Sequence, residues 1–164
     1  MLTEIMNKLY FPPSKRLIKL SELQSSEIIL AILRLAEFKF PYKYLGDTLG
    51  EMNELEFYLD PKMPKDCLGH TTILHPNRIV LNQMIVNGLT SKLLLGVSSN
   101  QHELSIVVHE LTHLAQMRNP IKFALLNLPV ICNYGNEYQA NRNQEFAYDK
   151  LLLLLEDEIR MRRF

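Results

Sequence analysis

The stretch Ser105 to Met117, SIVVHELTHLAQM, decides how the rest of this 164-residue chain is organised. Leu104, Ile106, Val107, Val108, Leu111 and Leu114 recur around it at helical spacing, which predicts a largely buried helix. At its centre stands His109-Glu110-Leu111-Thr112-His113, an H-E-x-x-H arrangement. Helical residues four apart are displaced by about 6 Å along the axis and turned by about 40°, so both imidazoles project from one face. Such a pair suits two ligands of one zinc ion, and Glu110 then lies beside a coordination position left for water. Two imidazoles and a carboxylate within an apolar helix also need partners, because unpaired polar groups are costly there.

A zinc site with an open position needs a third protein ligand. The five histidines, at 70, 75, 102, 109 and 113, leave none downstream of the motif, so a ligand from that side must be a carboxylate. Glu137 and Glu145 are the candidates, about two turns apart on nearly the same face of the next helix. Glu137 is preferred because it opens that helix directly after a loop. Ala140, three residues on, lets the helix pack closely on the motif helix, and Asn141, four residues on, can hold an imidazole N–H. Glu145 with Asp149 offers two carboxylates at the same spacing. Tyr134, Tyr138 and Tyr148 are candidate donors to a developing oxyanion, although packing is the commoner role of any one tyrosine.

Three weaker features are set apart. His102, seven residues before His109, shares roughly its helical face but is more often a first-turn surface residue. Cys67-x-x-His70 has half the spacing of a zinc loop with no second pair, and Cys67 as a thiolate could instead occupy the metal. Arg160, Arg162 and Arg163 suit the solvated C-terminal end of a helix and its dipole.

Outward from the motif, Asn100 with Glu103 has capping-box form, and Asn119-Pro120 ends the helix near Arg118. KFALLNL (122–128) suggests a short helix, and from Asn136 the chain is free of Pro and Gly and helical in pattern. Upstream, residues 1–12 begin as a short helical piece stopped by Pro12-Pro13, and Ser21 with Gln24 forms a capping box for a helix ending near Phe40-Pro41. Residues 55–59 (LEFYL), 71–75 (TTILH) and 78–82 (RIVLN) are predicted strands, with a turn at Pro76-Asn77. Residues 83–90 form a short helix with Gly88 as C-cap. The expected class is α+β, a small and mostly antiparallel sheet packed on the motif helix and the helix after it. Residues 1–40 form an N-terminal helical extension and residues 41–164 the main domain, together one compact unit.

Hydrophobic residues at 47% and charged ones at 22% describe a folded domain rather than a disordered chain. Lys plus Arg equals Asp plus Glu at 18 each, so no net field collects nucleic acid or an anionic membrane. Cys67 and Cys132 are too few for a disulfide scaffold and are expected as thiols. Neither a signal peptide nor a membrane-spanning run is visible, and a cytoplasmic location is the expectation.

HELTHLAQ followed by ExxAN resembles the gluzincin arrangement, in which H-E-x-x-H and a glutamate on the next helix bind zinc in a metallopeptidase. Residues 68–82 also resemble the strand segment that precedes the motif in SprT-like and other small zinc peptidases, although those usually take a His as third ligand. ImmA/IrrE-type proteins are a second comparison, since they pair the same two motifs. The likeness covers about residues 67–149, and its closest description is a minimal gluzincin. It implies a zincin-like fold, Zn2+ held by His109, His113 and Glu137, with Glu145 the alternative, and Glu110 as general base in hydrolysis of a protein or peptide substrate. Residues 1–40 would then be a partner-docking module or a lid. The rival reading is a zincin-fold protein that binds zinc for a structural or regulatory purpose without cleaving peptides.

Overall fold

The computed structural model describes residues 13–45, 52–72, 74–93, 100–119, 121 and 135–163. Tyr134, Cys132, the opening segment 1–12 and the helix expected at 122–128 lie outside them. In chain order the regular elements are β1 (Ile18–Lys19), α1 (Glu22–Leu33), a 3-10 turn (Arg34–Glu37), β2 (Glu56–Asp60), β3 (Gly69–Thr72), β4 (His75–Asn82), α2 (Gln83–Leu93), α3 (Gln101–Met117) and α4 (Asn136–Arg162). The class is α+β, as expected.

The four strands form one sheet in the order β1-β2-β4-β3. It is mixed rather than mostly antiparallel: β1 pairs antiparallel with β2 and β3 with β4, but β2 and β4 run parallel from Glu56↔Arg78 to Asp60↔Asn82. Among the described strands β4 is therefore internal and β3 is an edge. The hairpin does not turn at the expected Pro76-Asn77: Thr72 already pairs with His75, and Pro76 and Asn77 lie within β4. Pro76 is tolerated inside β4 because the register shifts between His70 and Thr72, and a ladder irregularity is where a strand can spare a backbone donor.

Alternation along the strands divides two clusters of side chains. Phe57, Ile79 and Leu81 point to one face and join the main core with Leu104, Val107, Val108 and Leu111 of α3, whereas Val80 and Tyr58 point to the other with Met63 and Cys67. Ile28, Ala31 and Ile32 of α1 belong to the main core, so α1 packs in the same layer as the motif helix.

The Ser21–Gln24 capping box forms in full, Ser21 Oγ accepting from Gln24 N and Gln24 Oε1 from Ser21 N. The α-helix it starts stops at Leu33, earlier than Phe40-Pro41, and tightens into the 3-10 turn. Gly88 is no C-cap but an interior residue of α2. A Cβ there would stand 2.3 Å from Glu103 Oε1, so glycine lets α2 approach α3. Asn100 does precede α3, yet its side chain makes no cap hydrogen bond and the capping box with Glu103 is not formed.

Candidate metal centre

α3 presents its polar residues towards α4 and β3. Gln116 reaches Asn136 and Gln139, Thr112 reaches Asn143, and Ser105 lines a cleft with Tyr148, so falling numbers on α3 meet rising numbers on α4 and the two helices are antiparallel. Ala140 and Ala147 are fully buried and let the helices approach. This arrangement brings the first turn of α4 beside the second histidine of the motif.

His109, His113 and Glu137 converge so that one donor atom of each lies within 4.8 Å of the others. His113 Nε2 stands 3.0 Å from Glu137 Oε1 and 3.1 Å from His109 Nε2, and His109 Nε2 stands 3.5 Å from Glu137 Oε2. Ligands about 2.0–2.1 Å from a tetrahedral zinc are about 3.3 Å apart, and each of the three pairs has its nearest donor atoms close to that spacing, the two histidines meeting different oxygens of Glu137. The imidazoles are recessed, with side chains 14% and 11% exposed, whereas the Glu137 side chain is 54% exposed, so the cluster opens on the Glu137 side.

The surroundings of His113 set its tautomer. Gln116 Nε2 donates to Asn136 O at 3.0 Å and faces Gln139 Oε1 at 3.4 Å, which turns Gln116 Oε1 towards His113 Nδ1 at 2.8 Å. Nδ1 then carries the proton and the neutral ring offers its Nε2 lone pair to the cluster, as a metal ligand requires. With no metal bound, burial disfavours the imidazolium, but the hydrogen bond to Glu137 and the charges of Glu110 and Glu137 prevail and push His113 up to about 9. Glu137 moves the other way: partial desolvation against the imidazoles opposes its carboxylate, although the side chain is half exposed, yet hydrogen bonds from His109 and His113 hold it well below the usual range. The first turn of α4 adds a favourable end of the helix dipole.

Glu110 is 5% exposed, and its Oε2 accepts from Thr71 Oγ1 on β3 at 3.2 Å. Gly69 makes room for it, because a Cβ there would meet Glu110 Cγ and Oε1 at 2.8 Å. Strand β3 thus clamps the motif carboxylate through Thr71 and Gly69. Cys67 is buried and its thiol is pushed up to about 11 by burial and then by the Glu110 charge, while Sγ donates to Gly69 O at 3.4 Å. It remains a thiol, and the convergent donor group does not include it.

The other residues singled out from the sequence lie elsewhere. Glu145 accepts from Arg142 at 3.0 Å and, with His102, Tyr148 and Asp149, lines a separate cleft between α3 and α4. Asn141 is exposed, and the amide that reaches His113 is Gln116. Tyr138 lies edge-on to Tyr42 with ring centroids 6.3 Å apart. Among the described residues, Gln116, Thr71 and Gly69 are the ones sequence reasoning missed. Gln116 was visible as an amide three residues past His113; the two β3 residues carried no local signal. No protein-family model, curated protein or solved structure matches this chain.

Proposed function

We propose that the protein is a zinc-dependent metallopeptidase that hydrolyses peptide bonds of a protein substrate. The observation that carries this reading is the convergence of His109, His113 and Glu137 at zinc-ligand spacing, with Glu110 of the same helix held by β3. The donor set fits: two imidazoles, one of them oriented through its second nitrogen, and one carboxylate leave a fourth position open. Zinc bound there would supply Lewis-acid polarisation of the scissile carbonyl and acidify a water.

The chain's own residues account for the remaining work. Glu110 takes the proton from the attacking water and returns it to the leaving amine. The hydrogen bond from Thr71 keeps one carboxylate oxygen engaged, which fixes the direction in which the other points. At 5% exposure, Glu110 has little water competing with it. β3, as the sheet edge next to Glu110, offers backbone groups with which an extended peptide can pair. The internal strand β4 offers none.

Glu110→Gln tests the assignment. The variant should bind as much zinc as the wild type and lose cleavage of an unstructured protein by at least about 100-fold, the usual contribution of a positioned general base. Cleavage retained by the variant would remove Glu110 from the mechanism, and no cleavage by zinc-loaded wild type of any of a panel of unfolded proteins would favour the non-hydrolytic alternative.

A further inference from the structure

The outer face of the sheet, opposite α3, holds a cavity of about 320 Å³ between the β3–β4 hairpin and the segment 13–17. Its walls combine Arg78, His70, His75 and Thr72 with apolar Leu17 and Val80, and no carboxylate lines it among the described residues. Arg78 is the unusual member. Its guanidinium lies 4.5 Å over the ring of Tyr58, and its Nε is sealed from solvent without a hydrogen-bond partner. Glu56, its partner across the β2–β4 ladder, feels that charge but is already engaged by Lys19 at 3.3 Å and the Tyr58 hydroxyl at 3.1 Å. Arg78 is half-buried and lines a cavity that holds no carboxylate among the described residues, and the groups that match such a guanidinium are planar or tetrahedral oxyanions.

The segment forming the other wall is itself fixed. Arg16 makes two hydrogen bonds to the fully buried Asp60, at 2.8 and 2.9 Å, which tie residues 13–17 to the end of β2. The cavity is therefore walled by anchored elements rather than by a loose end, and its volume is that of a small-molecule pocket.

We propose that this cavity is an anion-binding site for a small carboxylate or phosphate ester, whose charged group pairs with Arg78 and His75 and whose apolar body lies against Leu17 and Val80. The site does not rest on the metal reading: Thr71 of β3 faces Glu110 on one side of the sheet, and its neighbour Thr72 lines the cavity on the other.

Titration of the 15N-labelled full chain with sodium butyrate and, separately, with inorganic phosphate at constant ionic strength tests it. Saturable amide shifts confined to Ser14, Thr72, His75 and Arg78 are expected, with millimolar affinity, and the arm that saturates at lower concentration identifies the preferred oxyanion. Arg78→Gln should weaken binding by at least about tenfold, the usual scale for a lost charge-assisted pair. His75→Gln, a change at an exposed position, should weaken it several-fold and carries the test if Arg78→Gln fails to fold. Shifts that do not saturate by about 100 mM with either anion, or an affinity unchanged in the folded variants, would overturn the proposal.

Discussion

His113 is gripped at both ring nitrogens, by Gln116 at Nδ1 and by Glu137 at Nε2. Gln116→Leu removes the acceptor that fixes the tautomer, and losses in that outer layer typically cost about 10–100-fold in metal affinity. Competition against a chelator should find that loss without a change in far-UV circular dichroism, and equal affinity would mean that another group orients the ring. The same residue sets a pH dependence. In the metal-free chain His113 is raised from 6.5 to about 9, so its contribution to stability is full below 6.5 and is lost as the pH rises to about 9. Glu137, lowered from 4.5, contributes above 4.5 and loses that contribution as the pH falls further. Relative to a His113→Asn control, the metal-free melting temperature should fall between pH 6.5 and 9, while the rise caused by zinc should grow, because zinc displaces the His113 proton. A melting temperature that climbs over that interval relative to the control would contradict the pairing. At this scale the motif and the amide three residues beyond it were legible because they share one helix. Thr71 was not, since it meets Glu110 from 39 residues away.

Two helix contacts fix how α3 is held. Asn143 of α4 is fully buried and donates to Thr112 Oγ1 at 3.0 Å and Tyr42 O at 2.9 Å, while its Oδ1 accepts from Tyr42 N at 3.0 Å. Asn143→Leu strands those partners and should cost about 2–4 kcal/mol in urea unfolding; a change within about 0.5 kcal/mol would show that water replaces the amide. Gly88 gives a test of opposite expectation. In a free helix Gly→Ala gains about 1 kcal/mol, but here the new Cβ meets Cγ, Cδ and Oε1 of Glu103, a side chain that is 7% exposed. Gly88→Ala should therefore destabilise by about 1–3 kcal/mol, and a gain in stability would mean the α2–α3 contact yields. Helix positions could be anticipated because periodicity and caps are local. The parallel pairing of β2 with β4 could not, because strand order depends on which face α3 covers. Pro76-Asn77 carries turn chemistry, but the hairpin already pairs at Thr72 and His75, and Pro76 falls where the ladder is irregular. Asn143, whose backbone partner is 101 residues away, has no sequence signal.

Across the whole molecule, β1 completes the sheet and α1 supplies Ile28, Ala31 and Ile32 to the same core as the motif helix. Removing residues 1–40 should abolish cooperative unfolding rather than release a lid, and a truncated chain that melts cooperatively would make that segment separable. No helix among the described residues is long and apolar enough to cross a membrane. Glu137 and Glu145 were indistinguishable from spacing because they share nearly one helical face. Eight residues nevertheless advance about 12 Å along the axis, so only the antiparallel docking of α4 on α3 decides which carboxylate meets His109 and His113. Zinc stoichiometry measured on the purified wild type, Glu137→Ala and Glu145→Ala tests the central claim most directly. One tightly held zinc per chain in the wild type and in Glu145→Ala, with loss in Glu137→Ala, is the predicted result. Loss in Glu145→Ala alone, or no zinc retained by the wild type, would contradict it.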